Sequence, residues 1–249
     1  MIELNGISKY YKIRDGIAKW HDFYALENIN MVLRDSMVTG VCGISGSGKT
    51  TLATIISGYQ EYDSGNISYN KNGKIYSEIK QNNYIRNVFQ DPYTSLNSGM
   101  DVAWHIENTA LLNGIPLENA IEKLRIVGME YSDFSERYID TLSGGERQKL
   151  AFAISLIPEP DVLILDEPFS MLDTLSLFYE LQLLKKLKNK IIVYFDNSID
   201  RVLFVSDYIY ILDEGKIIES NYVDNFAGQQ NSNVAQKLIK YSPSIFKRI

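Results

Sequence analysis

The chain has 249 residues, 45% hydrophobic and 22% charged, with a net charge of -6, enough for one large α/β domain or a domain carrying an insertion. The acidic balance gives no electrostatic case for nucleic acid or anionic lipid as a partner, and no apolar run approaches the roughly 20 residues that cross a bilayer. Cys42 is the one cysteine, which excludes an internal disulfide or a cysteine-ligated cluster. A signal peptide is not expected, and the cytosol is the expected compartment.

In chain order, hydrophobic patterning predicts strands over residues 2–8, 25–33 and 38–42, the last holding Cys42 as a small core residue. Residues 13–24 read as a longer exposed hairpin, in which Trp20 and His21 are expected to pack or face solvent. A glycine-rich turn and a helix over 49–57 follow, then short β-rich pieces up to Phe89. From 101 to 157 apolar residues recur at helical spacing; Pro116 suits the first turn of one helix and Ser143 the cap of another. Strand–helix alternation then resumes, with strands at 162–165, 191–195 and 208–212 and helices after Asp173 and Ser198. Strand-like pieces end near Glu219, and a terminal helix is expected over 231–240. The whole predicts a mostly parallel sheet core (residues 1–90 and 159–249) interrupted by a helical subdomain (91–158).

Gly43-Ile44-Ser45-Gly46-Ser47-Gly48-Lys49-Thr50 has the P-loop spacing and lies between a strand and a helix. Backbone N–H groups must wrap phosphate oxygens closely, which side chains would obstruct. The helix start adds the positive end of its dipole. Lys49 is placed to reach the β- and γ-phosphates and the Thr50 hydroxyl to ligate Mg²⁺; Ser45, Gly46, Ser47, Gly48 and Thr51 complete the ATP-binding set. The motif alone specifies nucleotide binding.

Val162-Leu163-Ile164-Leu165-Asp166-Glu167-Pro168 is an apolar strand ending in two carboxylates. Such a strand puts both acids at its carboxyl end, where open α/β sheets bind ligands. Asp166 suits Mg²⁺, and Glu167 suits polarising the water that attacks the γ-phosphate. A strand running into a solvated acidic turn is the alternative, and the intact glycine loop weighs against it.

Leu142-Ser143-Gly144-Gly145-Glu146-Arg147-Gln148 is a serine cap, two glycines and a helix: a second anion-binding helix start. Two such starts far apart in one sequence suggest that two chains share each nucleotide. The segment resembles the LSGGQ signature of the ABC ATPases, with Glu146 in place of the common glutamine. That resemblance covers nearly the whole chain. It implies an ABC ATPase fold: a P-loop NTPase core with a mostly parallel sheet, an N-terminal antiparallel β part and an inserted α-helical subdomain. It implies ATP and Mg²⁺ as cofactors, and Ser143, Gly144, Gly145 and Glu146 as contacts to ATP bound by a facing chain. By the same resemblance Tyr11 stacks on adenine, although packing beside Tyr10 is its alternative; Gln90 is the Q-loop residue that meets Mg²⁺. Residues 170–173, ending in Asp173, resemble the D-loop at the dimer interface.

The stretch 88–97, Val-Phe-Gln-Asp-Pro-Tyr-Thr-Ser-Leu-Asn, is similar to the Q-loop of the oligopeptide, dipeptide and nickel importers, as is Arg137-Tyr138-Ile139-Asp140-Thr141. The C-terminal cysteine-containing extension of some of these relatives is not expected here. The implied partners are a second ABC ATPase, two transmembrane permeases and, indirectly, a substrate-binding protein, at the cytoplasmic face of a membrane. One departure stands out. The family's histidine after the strand 191–195 is replaced by Asn197, and the only histidines are His21 and His105. An amide cannot become cationic, so Asn197 is expected to leave this chain's own site slow, which favours a heterodimer. A soluble ABC ATPase outside transport and a regulatory nucleotide-binding subunit are the alternatives.

Overall fold

The structure, a computed structural model, describes residues 1–15, 19–71, 74–76, 85–89, 91, 95–187, 189–226 and 232–240. Two compact units emerge, residues 1–81 with 191–249, and residues 82–190.

The first unit opens with a long antiparallel hairpin, β1 (Ile2–Asp15) and β2 (Lys19–Leu33). Its inner half alternates as a half-buried sheet must: Ile2, Leu4, Ile29, Met31 and Leu33 are buried. Its outer half exposes Tyr10, Tyr11, Phe23 and Tyr24. The strands therefore run on through residues where alternation predicts only a hairpin excursion, because ladder hydrogen bonds persist without a buried face. β4 (Ser64–Lys71) and β5 (Lys74–Tyr76) complete this sheet in the order β2-β1-β4-β5.

The unit's other strands are β3 (Met37–Cys42), β8 (Ile191–Asp196), β9 (Tyr208–Asp213) and β10 (Lys216–Tyr222). β3 pairs in parallel with both β8 and β9, and β10 pairs antiparallel with β9. Every residue of β8 is buried, as expected of a parallel strand covered on both faces; β10 shows no buried residue and continues past the predicted end at Glu219. Helix α1 (Lys49–Ile56) packs on β2 and β8, and α7 (Ile199–Val205) on β3 and β8. Gly40 permits the α7 contact: a Cβ there would lie 2.3 Å from Ser206 Oγ and 2.4 Å from Val202 Cγ1. A short helix α8 (Val223–Phe226) and the terminal helix α9 (Asn233–Lys240) follow.

The second unit pairs β6 (Ile85–Val88) in parallel with β7 (Val162–Asp166). Its helices are α2 (Val102–Asn113), α3 (Leu117–Ile126), α4 (Tyr131–Phe134), α5 (Gly144–Leu156) and α6 (Thr174–Lys186). Local chemistry sets their ends. The Asp101 carboxylate accepts from the Trp104 amide at 2.7 Å to start α2, and Gly114, with φ +66°, closes it. Pro116 caps α3 rather than entering its first turn, its carbonyl accepting from the Asn119 and Ala120 amides. The architecture is the α/β fold expected: parallel strands, an antiparallel N-terminal part and a helical section.

Candidate functional site

In the first unit the glycine loop leaves the buried end of β3 and enters α1. Gly43 cannot carry a side chain: a Cβ would meet the Leu212 carbonyl oxygen at 2.3 Å and Ser47 Oγ at 2.5 Å. Gly48 sits at φ +106°, where a Cβ would lie 2.6 Å from the Ala25 carbonyl oxygen. Neighbouring backbone holds the loop in place. The Ser47 amide donates to the Ile44 carbonyl at 3.2 Å, and the Gly215 amide to the Ser47 carbonyl at 3.0 Å. Lys49 is buried, its Nζ donating to the carbonyls of Gly43 (2.8 Å) and Ile44 (3.1 Å), so its cation lies folded within the loop. Over Gly46 a Cβ would find nothing within 4 Å. Ser45 and Thr50 are exposed, and Thr51 is half-buried.

Tyr11 stands on β1, paired across the hairpin with Phe23. It is 41% exposed; Gln60 Nε2 donates to its hydroxyl, and Lys9 Nζ lies 5.7 Å from the ring centre. An exposed, tethered ring can stack on a planar group.

Asn197 follows the last residue of β8. Because Cys42 and Asp196 are register partners on adjacent parallel strands, Gly43 and Asn197 leave the sheet side by side. The Cys42 thiol points to the Asn197 carbonyl at 3.9 Å. Burial, with the Asp196 charge beside it, pushes that thiol up to about 12 despite the nearby Lys49. Asp196 itself is buried and engaged: it accepts from Tyr194 Oη (2.6 Å) and the Ser198 amide (2.8 Å), with Arg201 at 3.5 Å. Beside the loop lies a cleft of about 650 Å³, lined in part by Ile44, Asn197, Ser198, Arg201 and Lys237.

In the second unit Asp166 is the buried last residue of β7, and Glu167 follows it in the left-handed region at φ +46°. A non-glycine residue held there is strained backbone, of the kind that clusters at functional sites. Gln90 lies outside the described residues. Ser143 and Glu146 form a reciprocal cap at the start of α5. Ser143 Oγ accepts from the Glu146 amide (3.3 Å), and the Glu146 carboxylate accepts from the Ser143 amide (2.7 Å). Partial burial pushes the Glu146 carboxyl up, but the hydrogen bonds to Ser143 and the Arg137 guanidinium at 3.1 Å outweigh it and hold the group ionised. Gly144 and Gly145 lie against residues 171 and 172; a Cβ on Gly144 would sit 2.7 Å from Met171 Sδ. Asp173 caps α6, accepting from the amides of Leu175 and Ser176, both at 3.0 Å.

Residues 26–170 match the family described as ABC transporter. This chain belongs to the ABC transporter family. It is 28% identical over 253 residues to the dipeptide transport ATP-binding protein DppF of Haemophilus influenzae, covering 96% of this chain and 77% of that one. It is 30% identical over 254 residues to the methionine import ATP-binding protein MetN of Haemophilus ducreyi, covering 96% and 70%. Among solved structures, the dimeric structure of MJ0796, a bacterial ABC transporter cassette, superposes with a TM-score of 0.77 at 25% identity, over 90% of this chain and 99% of that one.

The protein is thus an ABC ATPase that binds ATP with Mg²⁺, and the loop fits a polyphosphate. Ser47 Oγ is buried without a hydrogen-bond partner among the described residues, open space lies over Gly46, and a cation is folded into the turn. Two buried side chains of this ATPase receive no role from the sequence motifs. Gln148 is fully buried and bonds to Ser170 Oγ (3.1 Å) and the Met171 amide (2.9 Å). Glu180 on α6 is buried 3.8 Å from Lys149. Gln148 lies one helical turn from Gly144 and shares its helix face.

Proposed function

We propose that this ABC ATPase drives an importer of oligopeptides, dipeptides or nickel and metal chelates, and that its own glycine loop serves a slow site. The observation that carries the slow-site reading is the place of Asn197: it leaves β8 beside Gly43, in register with the phosphate loop, and lines the cleft shared with Ile44. Backbone amides of 45–49 and Lys49 would hold the phosphates, Tyr11 the base, and Thr50, Gln90 and Asp166 the metal. Mg²⁺, when bound, would neutralise charge on the phosphates. Glu167 would polarise the attacking water, and Asn197, at the place of the family's γ-phosphate-contacting histidine, offers an amide that can donate a hydrogen bond but can neither gain nor pass on a proton. Loss of a positioned acid–base group costs roughly 10²–10⁴-fold in rate, whereas the phosphate-holding groups are retained.

Ser143, Gly144, Gly145 and Glu146 face the nucleotide of a second cassette, and Asp173 lies at the junction. The dimeric arrangement of the MJ0796 cassette supports this reading. A cassette slow at its own site but with an intact signature fits a heterodimer, in which it completes the faster site of a different ATPase. Two permeases hold the pair at the cytoplasmic face of a membrane, with a substrate-binding protein acting through them. The names of DppF and MetN support transport and import respectively, and the 88–97 stretch supports the peptide and nickel branch.

Asn197→His in the assembled complex tests the slow site. Turnover at this site is expected to rise at least about tenfold. No gain, together with ordinary turnover at this site beforehand, refutes it. Copurification with a polytopic membrane protein tests the transport role against a soluble one.

A further inference from the structure

We propose that Gln148 is a positioning residue: a buried amide latch that fixes the start of α5 to residues 170–173, so that both meet a neighbouring cassette as one rigid piece. The inference rests on the reading that Ser143 completes a facing cassette's site, and it assigns the control of that contact to a side chain no motif role covers.

Gln148 is 0% exposed. A buried amide is costly unless its hydrogen bonds are made, and here both ends are used on one short segment. Nε2 donates to Ser170 Oγ at 3.1 Å, and Oε1 accepts from the Met171 amide at 2.9 Å. The pair also fixes the amide's orientation, because a flip would set its NH₂ against the Met171 N–H. Reach is supplied by the two glycines. A Cβ on Gly144 would come 2.7 Å from Met171 Sδ, and one on Gly145 3.0 Å from Leu172 Cδ2. These glycines therefore serve a contact inside the chain as well as any approach from outside it.

Further contacts brace the same two pieces. Phe152 of α5 meets Phe169 edge to face, with ring centres 5.3 Å apart. Lys149 lies 3.8 Å from Glu180 of α6. Downstream, Asp173 ties the segment into the first turn of α6 through the Leu175 and Ser176 amides. Residues 170–173 are thus held at one end by Gln148 and at the other by a helix cap. A displacement of 170–173 is then carried directly to Ser143, the cap of the same helix five residues before Gln148.

The test is steady-state ATP turnover of the assembled complex with Gln148→Met, which keeps volume and removes both hydrogen bonds, with Ser170→Ala, which removes one, and with both together. For Gln148→Met, kcat is expected to fall about tenfold with KM for ATP within about twofold. Ser170→Ala should lower kcat about threefold, and the double variant should match Gln148→Met alone. Wild-type kcat in Gln148→Met, a KM that moves with kcat, or effects that multiply in the double variant would overturn the latch. If Gln148→Met does not assemble, Ser170→Ala decides: reduced kcat at unchanged KM supports the latch, and wild-type kcat refutes it. Ser143→Ala separates the two levels. Wild-type turnover in that variant sinks the shared-site reading, whereas lost turnover there beside a normal Gln148→Met sinks only the latch.

Discussion

Replacing Glu180 by glutamine should stabilise this protein at alkaline pH and do little at acid pH. The Glu180 carboxylate is 3% exposed, sits 3.8 Å from Lys149, and has an oxygen, Oε2, without a hydrogen-bond partner among the described residues. Burial pushes its pKa from 4.5 up to about 7, against the pull of Lys149. The folded protein therefore holds this proton more tightly than the unfolded chain does. Below pH 4.5 both states are protonated and nothing is lost; between 4.5 and about 7 stability falls as the unfolded state ionises first; above about 7 the penalty is constant. The displacement corresponds to about 3 kcal/mol at full ionisation, and an amide of the same shape carries no such cost. Equilibrium denaturation of wild type and Glu180→Gln at pH 5 and pH 8 reads the difference directly. A gain approaching 3 kcal/mol at pH 8 that shrinks to under about 1 kcal/mol at pH 5 is expected. For a chain of this size each kcal/mol moves the thermal midpoint by about 2–4 °C. An equal difference at the two pH values, or a loss at pH 8, would show that Lys149 compensates the buried charge fully and that the reasoning fails.

Cys42, buried and with its thiol pushed up to about 12, carries thiolate in only about one molecule in ten thousand at pH 8; a chromogenic disulfide should label it in denaturant but not in the native state, and rapid native labelling would contradict its placement. Gly48→Ala forces a side chain into φ +106° and to within 2.6 Å of the Ala25 carbonyl. It should cost roughly 1–3 kcal/mol in chemical denaturation and reduce ATP affinity, and an unaffected midpoint would refute the loop geometry.

How much of this was legible beforehand depends on the range over which each feature is determined. The glycine loop, the acid-tipped strand β7 and the Ser143 cap are local devices, in which residue type dictates backbone geometry within a few positions, and they lie where the pattern put them. The strands of the outer β1–β2 hairpin are not evident in the sequence because Tyr10, Tyr11, Phe23 and Tyr24, all exposed, leave no buried–exposed alternation to detect. Gln148 and Glu180 are different in kind. Each looks like an ordinary polar residue on a helix, and each acquires its character from a partner more than twenty residues away, through packing that no local period encodes. Asn197 lies between these cases: its neighbours in sequence located it, but only the pairing of Cys42 with Asp196 sets it beside the loop.

The cap at the head of α5 holds its serine hydroxyl by more than one contact. Ser143 receives a hydrogen bond from within its own helix, from the Glu146 amide, and the same hydroxyl is also hydrogen-bonded to the Glu146 carboxylate. An oxyanion arriving from another molecule would therefore find a hydroxyl already held in place; it would compete with the Glu146 carboxylate for the proton while the bond from the amide stays, with no helical turn to unwind. Glu146, whose charge would otherwise meet that visitor first, is occupied by the Ser143 amide and Arg137. The helix thus greets an anion at the cost of one contact and keeps its own start.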